Sequence, residues 1–338
     1  MMNSKYNTRL TEFDALKLFC IFCVILGHCL LHLQNYQFII WDNPLYRAIS
    51  SFHMPLFMMI SGFFGCRILS INFKDFILKK CRQLLLPAAA FGVLFCISWI
   101  YIGGGTQPLK TWIVCYWFLK SAFICALLYY IAIHSKNSTI ALIITLILSQ
   151  FCFAYQVNNM YPCFLLGAFI NRHYDWIKAK AIHVLVISAA VYIILLTQWT
   201  TEMAQMPLMR IHRFIHMAPD AAFTIAGTHM YKLIMGMAGS IMFLSLFIIG
   251  QKQFSPNRIT NTICKWGQYT LGIYLLQAII VEHIMMRTLD FSNLSYPIFN
   301  FVVAPIISVF ALILCVGIIN LIHKSRLTSL LILGEQPR

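Results

Sequence analysis

Apolar residues fill this chain in blocks of about twenty, each broken from the next by a short polar stretch. A helix rises 1.5 Å per residue, so about twenty residues match the ~30 Å hydrocarbon core of a bilayer. Each block therefore predicts a membrane-spanning helix. Ten are read, near residues 13–33, 47–67, 84–103, 113–133, 139–156, 160–171, 181–199, 229–250, 268–286 and 298–322. The sixth is short for a span. No repeat period is visible and no stretch is polar enough for a soluble domain. The expectation is an all-α integral membrane protein, a bundle of about ten transmembrane helices forming one polytopic domain over 1–338.

The first block breaks its own apolar pattern. Asp14, Lys17 and His28 interrupt it. At about 100° per residue, Asp14 and Lys17 are neighbours on adjacent turns, and Lys17 and His28 point within about 20° of each other. The three form one stripe, with His28 roughly 21 Å further along the axis than Asp14. A charge in mid-membrane costs at least ~2.5–3.5 kcal/mol, so such a stripe faces protein or water and marks a site. Asp14 is too far from His28 to orient it and is expected to pair with Lys17.

Composition and charge sharpen this. Hydrophobic residues make up 60% of the chain and charged ones only 10%, which excludes an ordinary soluble domain. The net charge of +15 sits in short clusters between apolar blocks, as membrane orientation requires, so no nucleic-acid partner is expected. With the N-terminus cytoplasmic, seventeen of the 25 basic residues fall inside and six outside, which places both termini in the cytoplasm and His28 in the outer half of the membrane. The Lys5 and Arg9 flank imitates a signal peptide, but the apolar run is too long and lacks a small-x-small cleavage site. The twelve cysteines lie mostly within apolar runs and read as buried free thiols.

Further polar groups punctuate the spans. His28 is either a packing histidine or a general base with a pKa suited to neutral pH. His32 lies one turn on, but no third ligand follows with characteristic spacing, so no metal is expected. His53, in Phe52-His53-Met54-Pro55, enters at a depth compatible with His28, and Pro55 is read in the first turn of its helix. Ser61-Gly62 permits close backbone approach. Lys79, Lys80 and Arg82 form a cluster at the membrane boundary that serves either orientation or phosphate binding. Lys120 is deep in its span, where Tyr116 can hold the ammonium over a ring. Arg210, Arg213 and His216 share a face in a long outer loop, read as an interfacial helix or an acceptor site. Tyr274 and Gln277 lie near mid-depth, with Glu282 and His283 near the outer end of the same span.

Several of these segments together resemble the membrane-bound acyltransferase family 3, bacterial integral-membrane O-acyltransferases of sugars and surface polysaccharides. The resemblance rests on Phe13-Asp14-Ala15-Leu16-Lys17 with Gly27-His28, on Phe52-His53-Met54-Pro55 through Ser61-Gly62, and on Lys79-x-x-Arg82 before Pro87. Trp117-Phe118-Leu119, Phe164-Leu165-Leu166-Gly167 and Leu271-Gly272-Ile273-Tyr274 complete it. The resemblance implies that His28 is the catalytic base and that Lys79, Lys80 and Arg82 hold acyl-CoA, with acetyl-CoA the expected donor and no permanently bound cofactor. Lys17, His53, Ser61, Trp117, Lys120, Tyr274 and Gln277 are the expected substrate contacts. Lys17 stands where arginine is more usual, and Gln277 where histidine often stands. The implied acceptor is a sugar or cell-envelope glycan, the location the inner membrane, and the partners membrane lipids and polysaccharide-synthesis machinery. The rival reading is a carrier or flippase for a lipid-linked sugar. Inverted repeats would favour it, and none is visible.

Overall fold

The computed structural model describes residues 10–34, 40–66, 70–101, 107–205, 219–251 and 258–334, and these are helical without strands. In chain order the helices are α1 (Thr11–His32), α2 (Pro44–Gly65), α3 (Phe73–Tyr101), α4 (Pro108–Val114), α5 (Trp117–Ile133), α6 (Ser138–Ser149), α7 (Val157–Arg172) and α8 (Tyr174–Ala179). After them come α9 (Ala181–Gln198), α10 (Thr201–Gln205), α11 (Pro219–Gln251), α12 (Arg258–Trp266), α13 (Thr270–Thr288), α14 (Tyr296–Ile322) and α15 (Arg326–Leu333). Three of the long helices each contain a π-helical stretch: Cys81–Leu85 in α3, Ala278–Met285 in α13 and Phe299–Val303 in α14.

Among the described residues seven helices are long and apolar enough to cross a bilayer, and an eighth if α4 and α5 count as one span bent by 50°. This is a multi-pass, all-α membrane protein. The span expected over 139–156 is shorter than the sequence pattern suggests, and the one expected over 160–171 is longer. α6 has 12 residues and α7 has 16, about 18 and 24 Å at 1.5 Å per residue. The apolar run over 139–156 is helical only to Ser149, and Tyr155 and Gln156, just before α7, adopt left-handed φ values of 51° and 57°. The expected interfacial helix around Arg210, Arg213 and His216 lies outside the described residues.

One compact unit comprises Met1–Phe13, Ser50–Phe73 and Ser121–Ser255. Here α2 and α7 cross backbone on backbone. A Cβ on Gly62 would come 1.9 Å from the Phe164 carbonyl oxygen, and one on Gly167 would come 1.9 Å from that of Met59. Small residues on both sides are what such an approach in a membrane requires. Pro55 is well inside α2 rather than in its first turn. Gly236 of α11 packs against its ring and the Ser51 carbonyl, four residues earlier, that the proline leaves without an amide. The start of α1 is anchored here as well: buried Glu12 accepts a 2.5 Å hydrogen bond from the Tyr174 hydroxyl, beside the rings of Phe13 and Phe63.

The second unit comprises Asp14–Ile49, Lys74–Lys120 and Pro256–Arg338. Its helices are clamped at one end by two close approaches. A Cβ on Gly267, just before α13, would lie 2.0 Å from the Asp14 carbonyl oxygen of α1. Gly334, left-handed at φ +65° after α15, would place one 2.2 Å from the Arg82 carbonyl oxygen of α3. At the other end Ser98 of α3 meets His283 of α13, and Gln34 after α1 donates to the Leu294 carbonyl at 3.0 Å. α1, α3 and α13 therefore run in the same direction, and all three bring their later turns to one end.

Candidate functional site

The site assembles at that end, in the second unit. His28 is in the fifth turn of α1, and Glu282 projects from the π-helical stretch of α13, where stretches of this kind often mark function. Nδ1 of His28 lies 2.9 Å from Oε1 of Glu282. The pair meets the distance of an ion pair but not the alignment of a finished N–H···O bond, as is common for catalytic contacts before substrate arrives. The His28 side chain is 31% exposed and that of Glu282 19%, so the imidazole is open to a ligand while the carboxylate is mostly enclosed. Sequence spacing sets Asp14 too far from His28, and in the structure the carboxylate beside the imidazole comes from another helix.

The surroundings are aromatic and polar by turns. The His32 ring stacks on His28 with centroids 5.8 Å apart and planes 17° from parallel. His283, next to Glu282, contacts the Ser98 hydroxyl through Nδ1 at 2.5 Å and packs on Phe95 at 4.2 Å, while its Nε2 is buried without a partner. Gln277 is buried, with its Oε1 unpartnered. Phe95 also lines a cavity of about 600 Å³ with Trp99, Gln107, Lys110, Thr111, Val114 and Cys115. The indole, ammonium and amide in that wall are groups suited to a polar ligand with a flat apolar face.

Tyr274 and Tyr116 pack edge to face at 6.0 Å, and Phe118 meets Tyr274 at the same distance. Tyr116 sits at the bend between α4 and α5 with φ 52°, a conformation costing a non-glycine residue of order 1–2 kcal/mol. Its hydroxyl donates to the Leu275 carbonyl at 2.9 Å, which ties the bend to α13. Trp117 begins α5 and lies edge-on to Phe118.

Lys120 is placed differently from its expected depth inside a straight span. It stands in the first turn of α5, and its ammonium donates to the carbonyls of Trp112, Ile113 and Cys115 at 2.9, 2.8 and 2.7 Å, with the Trp112 ring 5.8 Å away. It caps the C-terminal end of α4, satisfying carbonyls the bend would leave bare.

The remaining expected contacts lie elsewhere. Lys17 pairs with Asp14 at 3.5 Å, as their spacing predicts. His53 and Ser61 belong to the first unit: His53 is half-buried on α2, and the Ser61 hydroxyl donates to the Phe57 carbonyl of its own helix at 2.9 Å. On α3, Lys79 is exposed and Lys80 and Arg82 are half-buried. Arg82 lies in the π-helical turn, with its Nε buried and unpartnered. The sequence marks Glu282 and His283 only as an acid and a histidine side by side in an apolar helix, and it gives Ser98 no signal.

A multi-pass membrane protein with an imidazole–carboxylate pair near one end of its helices defines a class, and comparison with known proteins makes it specific. Residues 10–320 match the model of the family described as "Acyltransferase domain", and the chain belongs to that acyltransferase family. It is an enzyme that transfers acyl groups other than aminoacyl groups. Among curated proteins it is similar to the nodulation protein NolL of Mesorhizobium japonicum, 25% identical over 362 residues covering 98% of this chain and 92% of that protein. It is also similar to the nodulation protein NolL of Sinorhizobium fredii, 31% identical over 178 residues covering 48% of each. No solved structure matches it.

Proposed function

We propose that this protein moves an acyl group, in the first instance acetyl, from acyl-CoA to a hydroxyl of a sugar or cell-envelope glycan, with His28 as general base. The observation that carries the reading is the Glu282 carboxylate 2.9 Å from Nδ1 of His28. A carboxylate there favours the tautomer with the proton on Nδ1 and leaves the Nε2 lone pair for an acceptor hydroxyl. His28 takes the hydroxyl proton as the oxygen attacks the thioester carbonyl. The tetrahedral intermediate collapses, the carbon–sulfur bond breaks, and the thiolate leaves with the proton that His28 returns. Glu282 steadies the imidazolium in between.

The donor site in this reading is Lys79, Lys80 and Arg82. The buried, unpartnered Nε of Arg82 supports it, since a guanidinium with a spare donor suits a phosphate oxygen. From Arg82 to Ser98 α3 runs sixteen residues, roughly 24 Å of axis. The nucleotide thus binds at one end while the pantetheine arm carries the thioester toward His28. In this reading the donor end and both termini are cytoplasmic and His28 is near the outer face of the inner membrane, which the excess of basic residues in the segments read as cytoplasmic supports. The cavity bounded by Trp99, Gln107 and Lys110 is the acceptor site, with Phe95 linking its wall to His283. Membrane lipids surround the chain, and polysaccharide-synthesis machinery supplies the acceptor.

The test is transfer of radiolabel from acetyl-CoA to candidate glycans by the purified protein. Label in the glycan that disappears in His28→Ala at normal protein levels is the expected result. Full transfer by that variant would sink the assignment of the base, and movement of unmodified lipid-linked sugar without label would point to a carrier.

A further inference from the structure

The pairing of α1 with α13 brings together more than a base and its acid. We propose that His28, His32 and Glu282 form a site for a divalent transition-metal ion, and that Zn²⁺ bound there switches the enzyme off by occupying its base. One donor atom from each of the three residues lies within 4.8 Å of the other two. A tetrahedral ion with bonds of about 2.0–2.1 Å needs donors about 3.3 Å apart. The 2.9 Å His28–Glu282 contact is already slightly inside that spacing and the other separations are at most 4.8 Å, so closing the site takes shifts of about 1.5 Å or less.

The donor chemistry selects the ion. Two imidazole nitrogens and one carboxylate oxygen suit zinc and its neighbours, whereas Mg²⁺ and Ca²⁺ require oxygen ligands throughout. The histidines are an i, i+4 pair on one helix, so their spacing is fixed by the backbone, and the acid arrives from a second helix. All three side chains are half-buried, neither sealed from water nor loose on a surface. Three protein ligands leave the fourth position to water. His283 is not among the residues whose donor atoms gather here.

Inhibition, though not binding, rests on His28 being the base. An ion coordinated to the imidazole and to Glu282 removes the tautomeric control the carboxylate provides, and acceptor and ion then compete for the same few ångströms. His32 takes no part in the proposed proton transfer, so it separates the two roles.

The experiment uses the full chain purified in detergent and freed of metal with a chelator. Zinc retained after equilibrium dialysis against ZnCl2 is measured by atomic absorption, and acetyl transfer is measured in parallel. One ion per chain is expected in the parent protein, with affinity at least tenfold weaker in His32→Ala and in His32→Asn, the second variant guarding against a folding defect in the first. Measured against each variant's own metal-free activity, inhibition by zinc is lost in both, and Mg²⁺ neither binds there nor inhibits. Zinc affinity unchanged in both variants overturns the site. Activity that is lost on chelation and restored by zinc overturns the inhibitory role. If no acceptor is ever labelled, the dialysis result still decides the metal site, so its failure is distinct from failure of the acyltransfer reading.

Discussion

At the scale of single residues, the chemistry turns on which groups His28 and Lys120 touch. If Glu282 orients the imidazole, Glu282→Gln keeps the shape and loses the charge. Turnover should then fall by about 10²–10⁴, the range of a general acid–base contribution, with KM for acetyl-CoA little changed. Equal loss in both parameters would mean that the residue holds structure instead. Lys120 makes the opposite case, a half-buried charge at a helix bend with a structural task. Lys120→Met leaves three carbonyls of the α4 terminus without their donor, at a cost of about 1–3 kcal/mol, readable as a lower melting temperature in detergent. Lys120→Arg should recover most of it. The Asp14–Lys17 pair was legible from spacing alone because both residues sit on one helix. Glu282 was not, because a partner contributed by a distant helix leaves no periodic trace in the sequence.

At the scale of elements, the spans were legible wherever hydropathy alone defines them, and their interruptions were not. α1, α2 and α9 follow their apolar blocks closely. The 50° break before α5 is held by contacts made elsewhere: Tyr116 on Leu275, Lys120 on α4. The same holds for Gly62 and Gly167. Each is merely a small residue in its own segment, and together they are the two halves of one crossing. Gly167→Val should push α2 and α7 apart and destabilise the chain by about 1–3 kcal/mol, as overpacking does. The loss should appear in thermal unfolding of the purified protein, with acetyl-CoA affinity unchanged in whatever fraction folds.

At the scale of the whole molecule, the family match covers residues 10–320, so both compact units belong to the acyltransferase and neither is an appendage. The proposed division of labour, donor at the Arg82 end and acceptor at the His28 end, makes separable predictions. Arg82→Ala should weaken acetyl-CoA binding at least tenfold while leaving turnover at saturating donor within a few-fold of the parent. Reporter fusions at the C-terminus should be active only when the reporter functions in the cytoplasm. A periplasmic reporter that works there would reverse the assigned sidedness and with it the direction of transfer.

The clamp between α1 and α13 carries a consequence for how this chain tolerates insertions and deletions. The two parallel helices are pinned twice, at Asp14 with Gly267 and at His28 with Glu282. Between the pins the segment from Gly267 to Glu282 has one residue more than that from Asp14 to His28, and the π-helical stretch that Glu282 projects from is wound with more residues per turn than an α-helix, which takes up surplus of this kind. The pair thus works as a vernier. Removing Ile279 should restore an ordinary α-helical count, swing the carboxylate by about 100° and uncouple it from the imidazole. Length changes in the connecting loops disturb neither scale, whereas a single-residue change inside either helix moves one against the other.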